Sequence, residues 1–162
     1  HADPNVFVQM DTYAVKGLQT GQIQFLYAPT HLNPTYEYGV TFERGTAVTY
    51  GDRKQIFISG TASIDNQGEI MYPGDILKQT ERMLENIDTL LQEAGGGLQD
   101  IMQAIVYLRD PADYVVVKQY IESRYPSFLH LIVHAPVCRP GWLIETECIA
   151  VIPADAPQYA YL

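Results

Sequence analysis

The sharpest pattern in the chain is an alternation of apolar and polar residues over residues 143–152. A period of two residues predicts a β-strand, and it places Glu145 and Glu147 on the same face of that strand. The opposite face carries Ile144, Thr146, Cys148, Ala150 and Ile152. A carboxylate is rarely buried in a sheet unless it is paired or takes part in chemistry. The pattern therefore has two interpretations: either Glu145 and Glu147 lie on a core strand and take part in chemistry, or they lie on an edge strand and both face water.

The other strands are shorter and are predicted from apolar runs between turn residues. Residues 46–50 and 55–60 flank the turn 51–54 and indicate a β-hairpin. At the end of this hairpin, Gly60 permits a close approach that a larger residue would block. Further strands are predicted at 6–10, 22–27, 101–108 and 129–135. The side of the strand 101–108 that is expected to meet helices consists of Met102, Ala104, Val106 and Leu108.

Two helices are predicted between these strands. Residues 75–94 carry an apolar stripe at helical spacing, with Asp75 as the N-cap and the three glycines 95–97 as the stop signal. The second helix, 110–125, opens with an Asp-Pro pair, the favoured N-cap followed by proline at the first helical position. The valines 115–117 have weak helix propensity, so burial is expected to hold them in the helix.

The order of these elements predicts an α+β domain, with one sheet and both helices on one of its faces. Two helices cover only one face, and the other, which includes Tyr, Phe and Thr residues, is expected to meet another subunit. The predicted organisation is an irregular N-terminal extension over residues 1–35, a domain over residues 36–153 and a C-terminal tail over residues 154–162.

Length and charge narrow the range of functions. A chain of 162 residues with 47% hydrophobic and 18% charged residues is typical of a globular domain with a real core. The formal net charge of −9 and the scattered Lys and Arg residues argue against a surface that binds nucleic acid. The sequence has no apolar run of membrane-spanning length and no signal peptide, so we expect a cytoplasmic protein.

The two cysteines, Cys138 and Cys148, leave two alternatives open. They either form a disulfide between a loop and the following strand or remain free thiols in a reducing compartment. They do not make a Cys-x-x-Cys pair, and the sequence predicts neither a metal site nor a cofactor.

Short segments between residues 36 and 152 match a known family when they are taken together. They are Phe57-Ile58-Ser59-Gly60, Gly74-Asp75 with Gln79, Asn86 and Leu90, Ala94-Gly95, Asp100-Ile101, Val106-Tyr107-Leu108-Arg109-Asp110 and Ile144-Glu145-Thr146-Glu147-Cys148-Ile149-Ala150-Val151. This set resembles the YjgF/RidA family, also known as endoribonuclease L-PSP or translation initiation inhibitor. The resemblance implies a chorismate-mutase-like fold and a homotrimer whose three sheets form a central barrel, with pockets at the subunit interfaces. It also implies hydrolysis of enamine and imine intermediates of amino-acid metabolism.

The chain departs from that family on its penultimate strand. RidA members hold the substrate carboxylate with the arginine of a Pro-Ala-Arg motif, which is missing here, and a gapped alignment places His130 at the arginine position. Ordinary RidA deamination would lack its carboxylate anchor.

Other segments are more similar to the C-terminal domain of chorismatases, which share the superfamily fold and cleave chorismate to pyruvate and a cyclic product. They are Asn33-Pro34, Tyr38-Gly39, Phe42-Glu43-Arg44, Ser59-Gly60-Thr61-Ala62-Ser63-Ile64, Val137-Cys138-Arg139-Pro140 and Leu143-Ile144-Glu145. By position, Glu145 matches the catalytic carboxylate of that group, and Cys138 matches a pocket thiol of one subtype.

The charged candidates have both functional and structural interpretations. A desolvated Glu145 could protonate or deprotonate a substrate, or it could bond backbone donors or a neighbouring subunit, and Glu147 has the same alternatives. Arg139 could bind a substrate carboxylate through two hydrogen bonds, or it could pair with Glu145 or a partner subunit. Arg44 is a second candidate anchor.

The remaining candidates are less specific. His130 and His134 alternate onto one face of their strand, where they could bind an anion, transfer protons or simply line a barrel. Cys138 lies beside a cationic residue that would favour its thiolate, or it is an inert pocket thiol. Ser59, next to Gly60, is interpreted as a hydrogen-bond donor to a ligand or to the backbone, because nothing in the sequence activates it as a nucleophile.

The sequence therefore predicts an inter-subunit pocket for a small carboxylate-bearing metabolite. Its chemistry would be acid–base hydrolysis through Glu145, of the chorismatase kind or of the imine and enamine deaminase kind. The alternative is a non-catalytic ligand-binding or oligomerisation module of a larger protein. The sequence leaves the choice between these classes, and the substrate, open.

Overall fold

Six strands in one sheet and two α-helices make up the part of the chain that the computed structural model describes, residues 10–161. The strands are β1 (Ile23–Leu26), β2 (Gly45–Thr49), β3 (Arg53–Ala62), β4 (Ile101–Leu108), β5 (His130–His134) and β6 (Ile144–Pro153). The helices are α1 (Ile76–Glu93) and α2 (Tyr114–Arg124). The predicted strand at 6–10 falls almost entirely outside the described residues.

The sheet is mixed, with the strand order β1-β2-β3-β6-β4-β5. Neighbouring strands are antiparallel except for β4 and β5, which are parallel. The predicted α+β architecture is thus confirmed. Because β6 lies between β3 and β4, the alternative that Glu145 and Glu147 belong to an edge strand is wrong.

Helix α1 follows its sequence signals closely. Asp75 caps it by accepting a hydrogen bond from the backbone N–H of Lys78 at 3.0 Å, and Gly95, with φ of +88°, ends it in the left-handed conformation. The predicted apolar stripe packs on the sheet, where Met83, Ile87 and Leu90 are completely buried. Burial of this stripe holds the helix on one face of the sheet.

Two details differ from the sequence expectations. Met102 was expected to face the helices but is 57% exposed, because an irregularity in the pairing between Ile101 and Gln103 interrupts the alternation of β4 and puts Ile101 into the core instead. Of the three valines 115–117 in α2 only Val117 is fully buried, whereas Val115 is 60% exposed. The expectation that burial holds the whole valine run in the helix is therefore wrong.

The described residues cover the face of the sheet opposite the helices only in part: Tyr13 packs against Phe57 on this face, with ring centroids 5.8 Å apart. Cross-strand partners share a face, and Phe25, Thr46, Phe57 and Ile149 form one row of such partners. Glu147, Ile105 and Leu131 form a second row. We call the sheet side with these two rows the open face. Phe25 is 49% exposed and Leu131 is 62% exposed, so the open face presents apolar surface to solvent.

Segments outside the predicted domain boundaries also contact the sheet. Strand β1 extends it as an edge strand. The segment after β6 returns to the β2–β3 turn, where the backbone N–H of Ala156 donates to the carbonyl oxygen of Gly51 at 3.0 Å. Neither helix within residues 10–161 is long and apolar enough to cross a membrane.

Candidate functional site

The site is built around Glu145, which β6 presents on the open face. Its cross-strand partners are Ala62 on β3 and Tyr107 on β4. Strand β3 contains a bulge here, because two residues lie between Ile58 and Thr61 while only one lies between their partners on β6, Cys148 and Thr146. The extra residue bends the strand beside the glutamate and creates the local shape of the site.

Gly60 lies in this bulge and makes room for the glutamate. A Cβ atom on residue 60 would overlap with Oε1 of Glu145 and come within 3.2 Å of its Cδ. The φ angle of Gly60 is outside the left-handed region, so the glycine is needed for space rather than for backbone conformation. The close approach predicted for Gly60 is therefore real, and its neighbour is the carboxylate of Glu145.

The carboxyl group of Glu145 is electrostatically perturbed. Burial raises its pKa because desolvation disfavours the charged form, and the negative charge of Glu147 raises it further. A hydrogen bond from the backbone N–H of Cys138 stabilises the carboxylate and lowers the pKa. Burial is the largest effect, so the pKa of Glu145 lies above that of an ordinary glutamate. Such a group can act as an acid or a base closer to neutral pH.

The second glutamate is bonded to a neighbouring tyrosine. The hydroxyl of Tyr107 donates to Oε1 of Glu147 at 2.9 Å. Burial, this hydrogen bond and the charges of both glutamates raise the pKa of Tyr107 to about 12. Glu147 also lines a depression of about 280 Å³ with Ser59, Phe57, Gln103, Ile105 and others. The two glutamates and Tyr107 thus form one acidic cluster on the open face.

Ser59 lies in the same depression but is already bonded to the backbone. Its hydroxyl donates to the carbonyl oxygen of Glu43 at 2.6 Å. Its backbone N–H donates to the carbonyl oxygen of Arg44 at 3.1 Å, which extends the pairing of β2 and β3. The sequence suggested that Ser59 donates either to a ligand or to the backbone, and in the structure it donates to the backbone.

The loop 136–142 covers the end of the site and is held by several polar side chains. Arg109, at the end of β4, donates to the carbonyl oxygens of Val137, Arg139 and Trp142 at 2.6, 2.6 and 2.7 Å. Arg139 donates to the carbonyl oxygen of Gly68 at 3.0 Å, and its guanidinium lies 5.1 Å from the ring centroid of Trp142. These contacts fix the loop that carries Cys138.

The comparison with known proteins agrees with this architecture. The family model described as Endoribonuclease L-PSP matches residues 45–152. The chain belongs to the endoribonuclease L-PSP family. This assignment confirms the YjgF/RidA resemblance, since the same superfamily carries both names.

Relatives with curated descriptions support the assignment. The chain is 31% identical over 97 residues to the 3-aminoacrylate deaminase RutC of Acinetobacter baylyi, which covers 59% of this chain and 77% of the relative. It is 35% identical over 97 residues to a RutC family protein of Pyrococcus abyssi, covering 59% of this chain and 76% of the relative.

Solved structures share the fold. RidA from the Antarctic bacterium Psychrobacter has a TM-score of 0.65 and 24% identity, over 80% of this chain and 99% of that one. TdcF of E. coli with bound serine has a TM-score of 0.64 and 21% identity, over 80% of this chain and 98% of that one.

Arg44, the second candidate anchor in this endoribonuclease L-PSP family member, lines a different cavity. Its guanidinium donates to the carbonyl oxygen and the Oδ1 atom of Asn33 at 3.0 and 3.1 Å, and only 6% of the residue is exposed. The cavity has a volume of about 450 Å³ and shares no lining residue with the depression at Ser59 and Glu147. Within one subunit, the backbone of Arg44 thus pairs with Ser59, but its guanidinium lies in a different cavity.

His130 lies on the other side of the sheet from Glu145. Its cross-strand partner is Ala104, which is buried beneath the helices. His130 lines a groove with Lys118 and Glu122 of α2, and its Nδ1 atom is 2.8 Å from the carbonyl oxygen of Phe128. His134 sits at the far end of β5, roughly 13 Å away for four residues of extended chain. One subunit therefore does not bring either histidine to Glu145.

Both cysteines are free thiols, so the disulfide alternative is wrong. Cys138 is exposed in the loop, whereas Cys148 is buried, which together with the charge of Glu147 raises the pKa of the Cys148 thiol to about 12. Within residues 10–161 there is no cluster of three or more His, Cys, Asp or Glu side chains that could hold a metal ion.

Two site residues were missed by the sequence interpretation, Tyr107 and Arg109. The alternation that assigned Glu145 to a face would also have assigned these residues to one face of β4, because they are two residues apart. What the sequence could not provide is the strand order that places β4 next to β6.

Proposed function

We propose that the region around Glu145 is a pocket for a small carboxylate-bearing metabolite, and that Glu145 is its acid–base group. The observation that carries this proposal is the position of Glu145: a half-buried carboxyl group of raised pKa on a central strand, seated against Gly60. A structural glutamate in such a place would be expected to have a cationic partner or several backbone donors. Glu145 has the backbone N–H of Cys138 as a donor, but its charged neighbour is the acidic Glu147, and a tyrosine lies beside it on β4.

The two candidate chemistries share one step that suits such a group. Enamines and enol ethers both have an electron-rich carbon–carbon double bond, and protonation of its terminal carbon leaves the adjacent carbon open to attack by water. In an enamine, addition of water then expels ammonia and leaves a carbonyl compound. In an enol ether the alcohol is expelled instead. Glu145 would supply the proton to carbon and take one back from the attacking water.

The named relatives support a small carboxylate as the ligand. One relative is described as a 3-aminoacrylate deaminase, whose named substrate is a carboxylate with an enamine group. TdcF, which shares the fold, holds serine, another small carboxylate. The resemblance of the loop residues 137–140 to chorismatases favours the enol ether chemistry. The formal net charge of −9 makes an RNA substrate the less favoured possibility in spite of the family name.

Assembly would complete the pocket. The open face exposes Phe25 and Leu131, and apolar surface of this kind is expected to be covered. A homotrimer whose open faces form a central barrel would cover it and place residues of a second subunit beside Glu145. We propose that such a neighbour supplies the carboxylate anchor that one subunit lacks, with Arg139 as the first candidate and Arg44 as the second. The domain boundaries after residues 35 and 153 and a cytoplasmic location stay predictions.

The non-catalytic alternative also has an observation in its favour. The guanidinium of Arg44 already donates to Asn33, and that of Arg139 donates to Gly68 and stacks on Trp142. A substrate carboxylate would have to share these cations with their present partners. If no anchor is available, the domain binds a ligand or a second subunit without turning anything over.

A ligand screen separates the two classes. Thermal shifts would be measured with chorismate, 2-oxo acids, imino acids and aromatic carboxylates, and each compound that stabilises the protein would then be tested for hydrolysis. Turnover of a stabilising compound supports the enzyme. Stabilisation without turnover supports the binding module, and the absence of any shift across all four classes contradicts the carboxylate pocket.

A further inference from the structure

An apolar cavity of about 690 Å³ lies on the open face, beside strands β1 to β3. One of its walls is the segment before β1, which contributes Tyr13, Val15 and Leu18. The opposite wall consists of side chains of the sheet, among them Phe25, Val48 and Ile149. The cavity is therefore a space between two parts of the same chain, and not only a flat area of the sheet.

The lining of this cavity suits an uncharged apolar group. None of the described residues that line it is charged, and besides Tyr13 the polar ones are Thr46 and Gln55. Its volume falls within the range of about 300–1,000 Å³ that is common for small-molecule pockets. The wall residue Phe25 is 49% exposed, so a molecule in the cavity would remove apolar surface from water, which is favourable.

The apolar cavity continues into the depression that Glu147 lines. Both spaces are bordered by Phe57 and Ile149, which are cross-strand partners. Along β6, Glu147 is two residues from Ile149, which is about 7 Å of extended chain. A single elongated molecule can therefore lie with one end in the cavity and the other in the depression.

The depression offers hydrogen-bond acceptors at this second end. The carboxylate of Glu147 accepts from Tyr107 at one oxygen and has further acceptor sites, and Gln103 contributes an amide oxygen. The hydroxyl of Ser59 donates to a backbone carbonyl, so its oxygen can still accept. An ammonium group has three N–H donors and carries the charge opposite to that of Glu147.

No nearby cation competes for this position. None of the ion pairs formed within residues 10–161 includes Glu145 or Glu147, and no described residue that lines the depression is basic. We propose that this part of the open face is a binding site for an amphiphilic amine, with its apolar chain in the cavity and its ammonium group beside Glu147. The site is additional to the proposed acid–base pocket and needs no reaction at Glu145.

The test uses probes that change one property at a time. Octylamine, octanol and octanoate share the apolar chain and differ in the head group, whereas butylamine keeps the ammonium group and has four fewer methylene groups. Calorimetry on the full chain gives the affinity for each probe. NMR of the methyl groups shows where octylamine binds.

We expect octylamine to bind most tightly of the four. Octanol should bind about tenfold more weakly because it lacks the charge-assisted hydrogen bond, and octanoate more weakly still because the glutamates repel it. Butylamine should bind about 100-fold more weakly than octylamine because it buries less apolar surface. Octylamine should shift the methyl signals of Val15, Leu18 and Val48 but not that of Val115 on α2. Unchanged cavity signals, or octanoate binding as tight as that of octylamine, would overturn the proposal.

Two variants test the two halves of the site separately. T46F places a ring in the cavity and should weaken octylamine and octanol alike by at least about tenfold, whereas the same exchange on α1, T89F, should change neither affinity. E147Q keeps the shape of the glutamate and should abolish the preference for octylamine over octanol. An E147Q protein that retains this preference would refute the position of the ammonium group. The methyl signals of the wild type decide the matter if T46F does not fold.

The rival occupant of the cavity is a second copy of the chain, because the open face is expected to assemble. Cavity signals that change with protein concentration but not with octylamine would show that a neighbouring subunit fills the space, and would overturn the proposal. None of these measurements involves turnover. A negative result therefore rejects the amine site without affecting the proposed role of Glu145, and the absence of any hydrolysis would reject that role without affecting the amine site.

Discussion

The carboxylate of Glu145 rests directly against the backbone of Gly60, on the neighbouring strand, with no space for even one additional carbon atom between them. The two residues are far apart in the sequence but form a single unit in the fold. The bulge of β3 places Gly60 at this contact, and β6 places Glu145 opposite it. A side chain at position 60 and the present orientation of Glu145 exclude each other.

The first prediction is that Gly60→Ala displaces Glu145. The new methyl group must move the carboxylate, so we expect a loss of about 1–3 kcal/mol in the free energy of unfolding. Any activity that depends on Glu145 should fall by about 100-fold, because a displacement of about 1 Å in an active site has that effect. Chemical denaturation and steady-state kinetics measure the two effects.

Gly97→Ala is the control for this variant. Gly97 has an extended backbone, and a Cβ there would meet only the end of the Gln99 side chain, which can rotate away. The control should change the free energy of unfolding by less than about 0.5 kcal/mol. Equal effects of the two substitutions would mean that the contact with Glu145 has no special importance.

The second prediction concerns Glu145→Gln. Because the folded-state pKa of Glu145 is raised, its ionised form costs stability at neutral pH, and the neutral glutamine should leave the melting temperature unchanged or higher. Catalysis should fall by about 10²–10⁴-fold, the usual worth of a positioned acid or base. Exposed Glu69 provides the control E69Q. A large drop in melting temperature with dissociation of the assembly would show Glu145 to be a structural anchor.

The third prediction is a loss of stability at alkaline pH that depends on Tyr107. Its pKa is about 12 in the folded protein against 10.0 for the unperturbed group, so the unfolded chain loses this proton first as the pH rises. Stability should therefore fall between about pH 10 and pH 12, and Tyr107→Phe should reduce that fall. Urea denaturation of both proteins across this range gives the difference. If the free energy of unfolding fell equally with pH in both proteins, the hydroxyl of Tyr107 would be exposed to water rather than bonded to Glu147.

The fourth prediction is that the open face assembles three subunits. Leu131→Asp removes about 2 kcal/mol of apolar burial per subunit and adds a charge that an interface would desolvate. We expect the wild type to sediment as a trimer and L131D as a monomer at micromolar concentration. Val115→Asp is the control, because Val115 is similarly exposed but lies on α2. A monomeric wild type, or equal behaviour of both variants, would contradict the trimer.

Much of the fold was predictable from the sequence because its signals are local. The alternation in β6, the capping residue Asp75 and the glycine that ends α1 each act within a few residues of chain. Met102 was assigned to the wrong face because a single irregularity in strand pairing reverses the alternation, and no local signal marks it.

The site was predictable only in part. Glu145 and Gly60 could be selected because each is unusual in its own element. Arg109 could not, because its role depends on carbonyls about thirty residues away along the chain that only the folded loop brings within reach. His130 was expected near the pocket through alignment with an arginine, but the register of β5 turns it towards α2.

The bulge in β3 has a consequence for comparing related chains. It adds one residue between Ile58 and Thr61, and that residue is what allows a glycine to face Glu145 while Thr61 still pairs with Thr146 inside the core. A relative that is one residue shorter at this point would pair its strands without a bulge and would lose the space that Gly60 gives to the glutamate carboxylate. A deletion of one residue, rather than a substitution, would then distinguish family members that can form this site from members that share only the fold.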